Sequence, residues 1–144
     1  MKNIQDSVTS VEVGMGQFRK AKAHENQHTK YLKVCLGVGF YNLDDKESFM
    51  LHYPDLYFYD FDKDVAKVKE AFNGANIKIK ATGGSLTSEN FVVSKSILKD
   101  RVYIENALKT NFPSQDISID WSGFDQVTNL YLDKATDEFT VERI

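Results

Sequence analysis

The sequence predicts an α+β fold: a layered, β-sandwich-like sheet core flanked by two main helices, in one domain spanning residues 1–144. Three observations point there. Short stretches of two-residue alternation recur along the chain, two longer segments repeat at helical period, and no linker, repeat or low-complexity tract divides them. The 144 residues are 42% hydrophobic and include ten Phe and seven Tyr, enough apolar material for one packed interior.

The elements follow in order. Residues 8–13 alternate as a strand that ends at Gly14-Met15-Gly16. Residues 17–29 are polar and basic without a clear period and read as a loop. Residues 31–41 alternate strictly: Leu32, Val34, Leu36, Val38 and Phe40 share one face, and Lys33, Cys35, Gly37 and Gly39 the other. A turn over 42–46 leads to a second strand over 47–53, stopped by Pro54-Asp55. Residues 62–73 read as a helix with Val65, Val68 and Phe72 inward and Gly74 as its stop. A strand over 77–81 runs into Thr82-Gly83-Gly84-Ser85, a tight backbone approach without the lysine or spacing of a phosphate loop. A second helix covers 95–110 with Ile97, Ile104 and Leu108 inward, and three short strands follow over 117–121, 127–132 and 139–142.

Composition excludes several functions. A net charge of −3 argues against general nucleic-acid binding. The early cluster Arg19, Lys20, Lys22, Lys30 and Lys33 and the acidic last third read as solvated faces. No apolar run approaches membrane-spanning length, so membrane insertion is not expected, and the opening MKNIQDSVTS lacks a leader's apolar segment. The default location is the cytoplasm, with an effector exported by another route as the alternative. A single cysteine excludes an internal disulfide and a multi-cysteine zinc site.

His24-Glu25-Asn26-Gln27-His28 spells the H-E-x-x-H of zinc proteases. That chemistry needs both histidines one turn apart on a packed helix and a third ligand downstream. Here lysines flank the segment and no apolar stripe would bury it, so it reads as a solvated loop rather than a metal site.

Cys35 and His52 carry more. Strand alternation sets Cys35 beside Gly37 and Gly39, which leave space next to the sulfur, and beside Lys33, whose charge favours a thiolate. If Leu43-Asp44 form a two-residue hairpin loop, Cys35 lies directly opposite His52, at a Cβ separation of about 5 Å. A different turn makes the two diagonal neighbours. The alternatives are an inert buried thiol and a histidine satisfied in the core.

At this point the residues resemble a known family. VEVGMGQF, LKVCLGVGFYN, FMLHYPD, IKATGGSL and DEFTVERI resemble, in order, segments of CheD, the chemoreceptor glutamine deamidase of bacterial chemotaxis. The resemblance covers most of the chain. It implies a CheD-like cysteine-hydrolase fold, shared with toxins of the cytotoxic-necrotizing-factor type, and a catalytic triad of Cys35, His52 and Thr29. The pattern departs from the family before the cysteine, where Lys33-Val34 replaces Gly-Ser and no glycine separates Thr29 from Cys35. A straight strand would hold Thr29 and Cys35 roughly 20 Å apart. Thr29 therefore joins the site only if the chain bends near residues 30–32.

The implied activity is hydrolysis of a protein glutamine side chain to glutamate with release of ammonia, through a thioester on Cys35. It needs no metal or organic cofactor. The implied partners are a substrate protein with an accessible glutamine, a chemoreceptor or another protein, and a regulatory protein. Two other readings stand beside it: a CheD-like module that docks a partner without catalysis, and a toxin-like deamidase of a host protein. The aromatic run Tyr53, Tyr57, Phe58, Tyr59 and Phe61 reads as packing of the strand–helix connection, with a substrate entrance as the alternative.

Overall fold

Leu36, Val38 and Phe40 point to one side of their strand, while Gly37 and Gly39 face the other, and this asymmetry sets the layering. The computed structural model describes residues 9–144. In chain order the elements are β1 (Ser10–Glu12), β2 (Gln17–Ala21), β3 (Asn26–Leu32), β4 (Leu36–Asn42), β5 (Ser48–Tyr53), α1 (Phe61–Ala71), β6 (Ile77–Gly83), α2 (Phe91–Asn111), β7 (Asp116–Trp121), β8 (Thr128–Asp133) and β9 (Glu138–Arg143). They form a five-stranded sheet, order β2-β5-β4-β6-β7, and a four-stranded sheet, order β1-β3-β8-β9. Both are mixed: β6–β7 and β1–β3 pair in parallel and the other neighbours antiparallel. The fold is therefore α+β with layered sheets, as the alternation predicts.

The bulky face of β4 packs against the helices. Leu36, Val38 and Phe40 join Phe61, Val65, Val68 and Phe72 of the α1 region and Ile104 and Leu108 of α2 in one buried cluster. The α1 spacing of four, three and four residues gives a continuous apolar stripe. Asp60 caps this helix by accepting the Lys63 N–H, and Asp62 and Asp64 in the first turn suit the helix dipole. On the other face, the second cluster joins Cys35, Tyr41 and Met50 to Leu32, Leu130 and Leu132 of the four-stranded sheet. Among the described residues no helix is long and apolar enough to cross a membrane.

Four local expectations change. First, residues 17–29, read as a loop, contain β2 and most of β3. Their strand character is hidden because β3 buries polar side chains: Gln27 and Thr29 are both fully buried. Gln27 is satisfied by donating to the Arg19 carbonyl at 2.8 Å and accepting from the Ser48 hydroxyl at 2.8 Å. Second, 31–41 is not one strand. Tyr31 has φ +61°, the pairing of β3 with β8 slips between Thr29 and Leu32, and residues 33–35 turn the chain from one sheet into the other. Leu32 consequently packs between the sheets rather than beside Leu36.

Third, the hairpin loop has four residues rather than two. The Asn42 N–H bonds the Glu47 carbonyl at 2.9 Å, and Lys46 takes φ +65°. Gly37, not Cys35, then lies opposite His52. Fourth, α2 begins at Phe91, capped by Asn90, because its first turn exposes Phe91 and Val92 and so shows no inward period. Val8, read as part of the first strand, lies outside the described residues.

The glycines of β4 also have a different purpose from the one expected. A Cβ on Gly37 would sit 2.7 Å from a Leu32 methyl, and one on Gly39 2.4 Å from a Phe139 ring carbon. The space is filled by the opposing sheet. Gly39→Ala should therefore destabilise the fold by about 1–3 kcal/mol, read as a lowered denaturant midpoint. Phe139→Leu in the same chain should recover part of that loss, whereas simple additivity of the two substitutions would contradict this packing.

Candidate functional site

Thr29 and His52 meet between the two sheets, and Cys35 packs in the cluster that lies between the same sheets. Thr29 lies on β3 in the four-stranded sheet, His52 on β5 in the five-stranded sheet, and Cys35 in the short turn between β3 and β4. The bend that Thr29 required is present at Tyr31 and residues 33–35. The three side chains are enclosed, with relative exposures of 0% for Thr29, 5% for His52 and 8% for Cys35.

The hydrogen bonds around Thr29 fix the state of the imidazole. Thr29 Oγ1 lies 2.6 Å from the Val13 carbonyl oxygen and 2.7 Å from His52 Nδ1. The carbonyl can only accept, so the single hydroxyl hydrogen of Thr29 goes to Val13. Toward His52 the hydroxyl is then an acceptor, and Nδ1 must carry the ring proton. In the neutral ring this leaves Nε2 with a free lone pair. Nε2 is buried and has no hydrogen-bond partner among the described residues. Burial also lowers the His52 pKa from its ordinary value, so the ring is neutral at neutral pH and available as a base.

Cys35 sits in the turn two residues before Gly37, the residue opposite His52, and packs in the cluster between the sheets with Leu32 and Leu130. The thiol and Nε2 are not hydrogen-bonded to each other. Burial pushes the Cys35 pKa up, and the Asp55 carboxylate adds to the rise. The sequence placed Lys33 beside the sulfur as a thiolate stabiliser; the structure instead gives the thiol an apolar setting and a nearby anion. The resting pair is neutral thiol and neutral imidazole.

Backbone contacts hold the cysteine turn. The Cys35 carbonyl accepts the Gly84 N–H at 2.7 Å, and the Lys33 carbonyl accepts the Ser85 N–H at 2.7 Å. Gly83 has φ +81°, and a Cβ there would lie 2.5 Å from the Cys35 oxygen. The Thr82–Ser85 motif is thus the tight backbone approach expected of it. The Cys35 N–H donates to no other described residue. On the far side of His52, the Gly16 N–H donates to its carbonyl at 2.6 Å. Sequence reasoning did not find Val13, whose carbonyl leaves no side-chain signature, or Asp55, which becomes a neighbour of Cys35 only through the fold.

The zinc spelling takes no helical form. His24 lies in the β2–β3 turn and His28 on β3, where Ser10 Oγ is 2.5 Å from its Nδ1 and Tyr131 stacks on the ring at 6.1 Å. The aromatic run divides. Tyr53 and Phe61 are buried in the helix-facing core and Tyr59 stacks on Tyr53 at 4.6 Å, while Tyr57 and Phe58 are exposed. Comparison with protein-family models and with curated proteins finds no match for this chain.

The lowered His52 pKa has a thermodynamic consequence. Below the ordinary value of 6.5 the unfolded chain takes up a proton that the folded ring resists. The stability associated with His52 is therefore fully present above that pH and is lost as pH falls through the lower folded-state value. Urea denaturation at a series of pH values should show wild-type stability falling relative to His52→Gln as the solution becomes more acidic. A wild-type–variant difference that stays constant over that range would contradict a buried neutral ring.

Proposed function

We propose that this protein is a protein-glutamine deamidase. The observation that carries the reading is the chain Val13 carbonyl–Thr29–His52, which leaves Nε2 buried and unpartnered, in a protein whose only cysteine, Cys35, is buried in the turn two residues before the residue opposite His52. The resemblance of the motifs around Thr29, Cys35 and His52 to CheD supports it and suggests chemoreceptors as one substrate class. The fold alone supports no activity, since one architecture hosts many.

In this reading, His52 Nε2 takes the thiol proton as Cys35 Sγ attacks the carboxamide carbon of a substrate glutamine. The developing oxyanion is held by the Cys35 N–H; in a well-studied hydrolase the loss of one such donor costs about 3 kcal/mol. The imidazolium returns its proton to the leaving nitrogen, the C–N bond breaks, and ammonia departs from a thioester. A water then gives its proton to His52 and attacks the thioester. The C–S bond breaks, the thiolate recovers its proton, and glutamate remains. Thr29 keeps Nδ1 as the protonated nitrogen throughout and so acts as a positioning residue. The raised thiol pKa means that the cysteine rests as the neutral thiol and needs His52 to take its proton.

One observation favours a second reading, a docking module without turnover: all three side chains are nearly inaccessible. Ammonia release separates the two. Wild-type protein should release ammonia from a glutamine-bearing substrate protein and leave the mass signature of an amide converted to an acid. Cys35→Ala should lose that activity by several orders of magnitude while keeping its melting temperature. Equal turnover by wild type and Cys35→Ala would end the cysteine mechanism.

A further inference from the structure

A groove of about 710 Å³ runs between the β5–α1 connection and the face of α2 that carries Ser96, Lys99 and Tyr103. Its volume is in the range that seats a few side chains. It adjoins the cysteine turn through the end of β5. Asp55, at the start of this connection, lies two residues beyond Tyr53, the residue opposite Leu36 in the β4–β5 pair, and Leu36 follows Cys35. Tyr59, in the groove wall, stacks on Tyr53, and a Cβ on Gly16 would be 3.1 Å from its hydroxyl; Gly16 is the residue that holds the His52 carbonyl.

The lining has a distinct chemistry. Tyr57 and Phe58 are 85% and 79% exposed and pack edge to face with ring centres 4.7 Å apart. Asp55, Asp60, Asp62 and Asp100 line the same groove, against Lys99 as the one cation among its lining residues. Asp55 accepts the Tyr57 and Phe58 N–H groups, Asp60 accepts the Lys63 N–H, and Asp62 accepts the Tyr103 hydroxyl. None of the four carboxylates forms an ion pair among the described residues. Exposed aromatic faces beside unpaired carboxylates suit Lys and Arg side chains, whose cations interact with both and whose stems cover apolar surface.

We infer that this groove docks a basic, glutamine-bearing segment of the substrate protein and delivers its glutamine to Cys35. The inference rests on the deamidase reading and names the substrate class. The same carboxylates would repel the α-carboxylate of free glutamine, which gives a reason for acting on protein rather than on the amino acid.

The test uses a fluorescently labelled peptide of Lys, Leu and Gln and its counterpart with Glu in place of Lys. Anisotropy is read on wild type, Cys35→Ala, the double variant Asp62→Asn/Asp100→Asn, and the exposed-site variant Tyr57→Ser/Phe58→Ser. The Lys peptide should bind wild type and Cys35→Ala alike, weaken by about tenfold or more in both groove variants, and weaken with added salt. The Glu peptide should not bind. Should the aspartate variant fail to fold, the exposed-site variant carries the comparison. Equal binding of the two peptides, or Lys-peptide affinity unchanged in a folded groove variant, would overturn the inference. Groove-dependent binding of the Lys peptide without ammonia release from it would sustain the docking site and count against the deamidase reading.

Discussion

The hydrogen bond between Thr29 and His52 joins the two sheets through a buried titratable ring. It forms only because the chain leaves β3 through Tyr31 at positive φ, turns over residues 33–35 and enters the other sheet at Leu36. That turn places Thr29 and His52 on opposing layers and drops Cys35 at their junction. Buried polar groups tolerate little misalignment: leaving one unsatisfied costs about 1–3 kcal/mol. The bend, the Val13 carbonyl and the Thr29 hydroxyl are thus parts of one arrangement whose product is a single tautomer of His52.

Packing around this point explains the composition of the neighbouring strands. Gly37 and Gly39 admit Leu32 and Phe139 of the four-stranded sheet, which brings the layers close enough for Thr29 to reach His52. Gly83 and Gly84 let their backbone approach the cysteine turn and hold its carbonyl. Electrostatics follow from the same burial. Burial raises the thiol pKa and lowers the imidazole pKa, so both groups favour their neutral forms. The Asp55 carboxylate pushes the thiol in the same direction.

Much of this was legible in the sequence, and the exceptions share a cause. The strands β4, β5 and β6 and the bodies of both helices are marked by apolar periodicity because one face of each meets the large helix-facing core. β2 and β3 escaped because the buried side of β3 is polar: Gln27 and Thr29 are hydrogen-bonded rather than apolar, so burial and hydrophobicity part company there. Strict alternation across residues 31–41 concealed the turn, since Leu32 and Leu36 serve different cores while keeping the same parity. The need for a bend was nevertheless implied by reach, as a straight strand would hold Thr29 about 20 Å from Cys35. The hairpin register depended on Lys46 taking a positive φ, which nothing in the turn composition demanded.

The most direct measurement is nitrogen NMR of the His52 ring in isotopically labelled protein at neutral pH, compared with Thr29→Val. The account predicts a neutral imidazole protonated at Nδ1 in the wild type, with that tautomer preference lost when Thr29 is replaced. A wild-type ring protonated at Nε2, or an imidazolium at neutral pH, would contradict it.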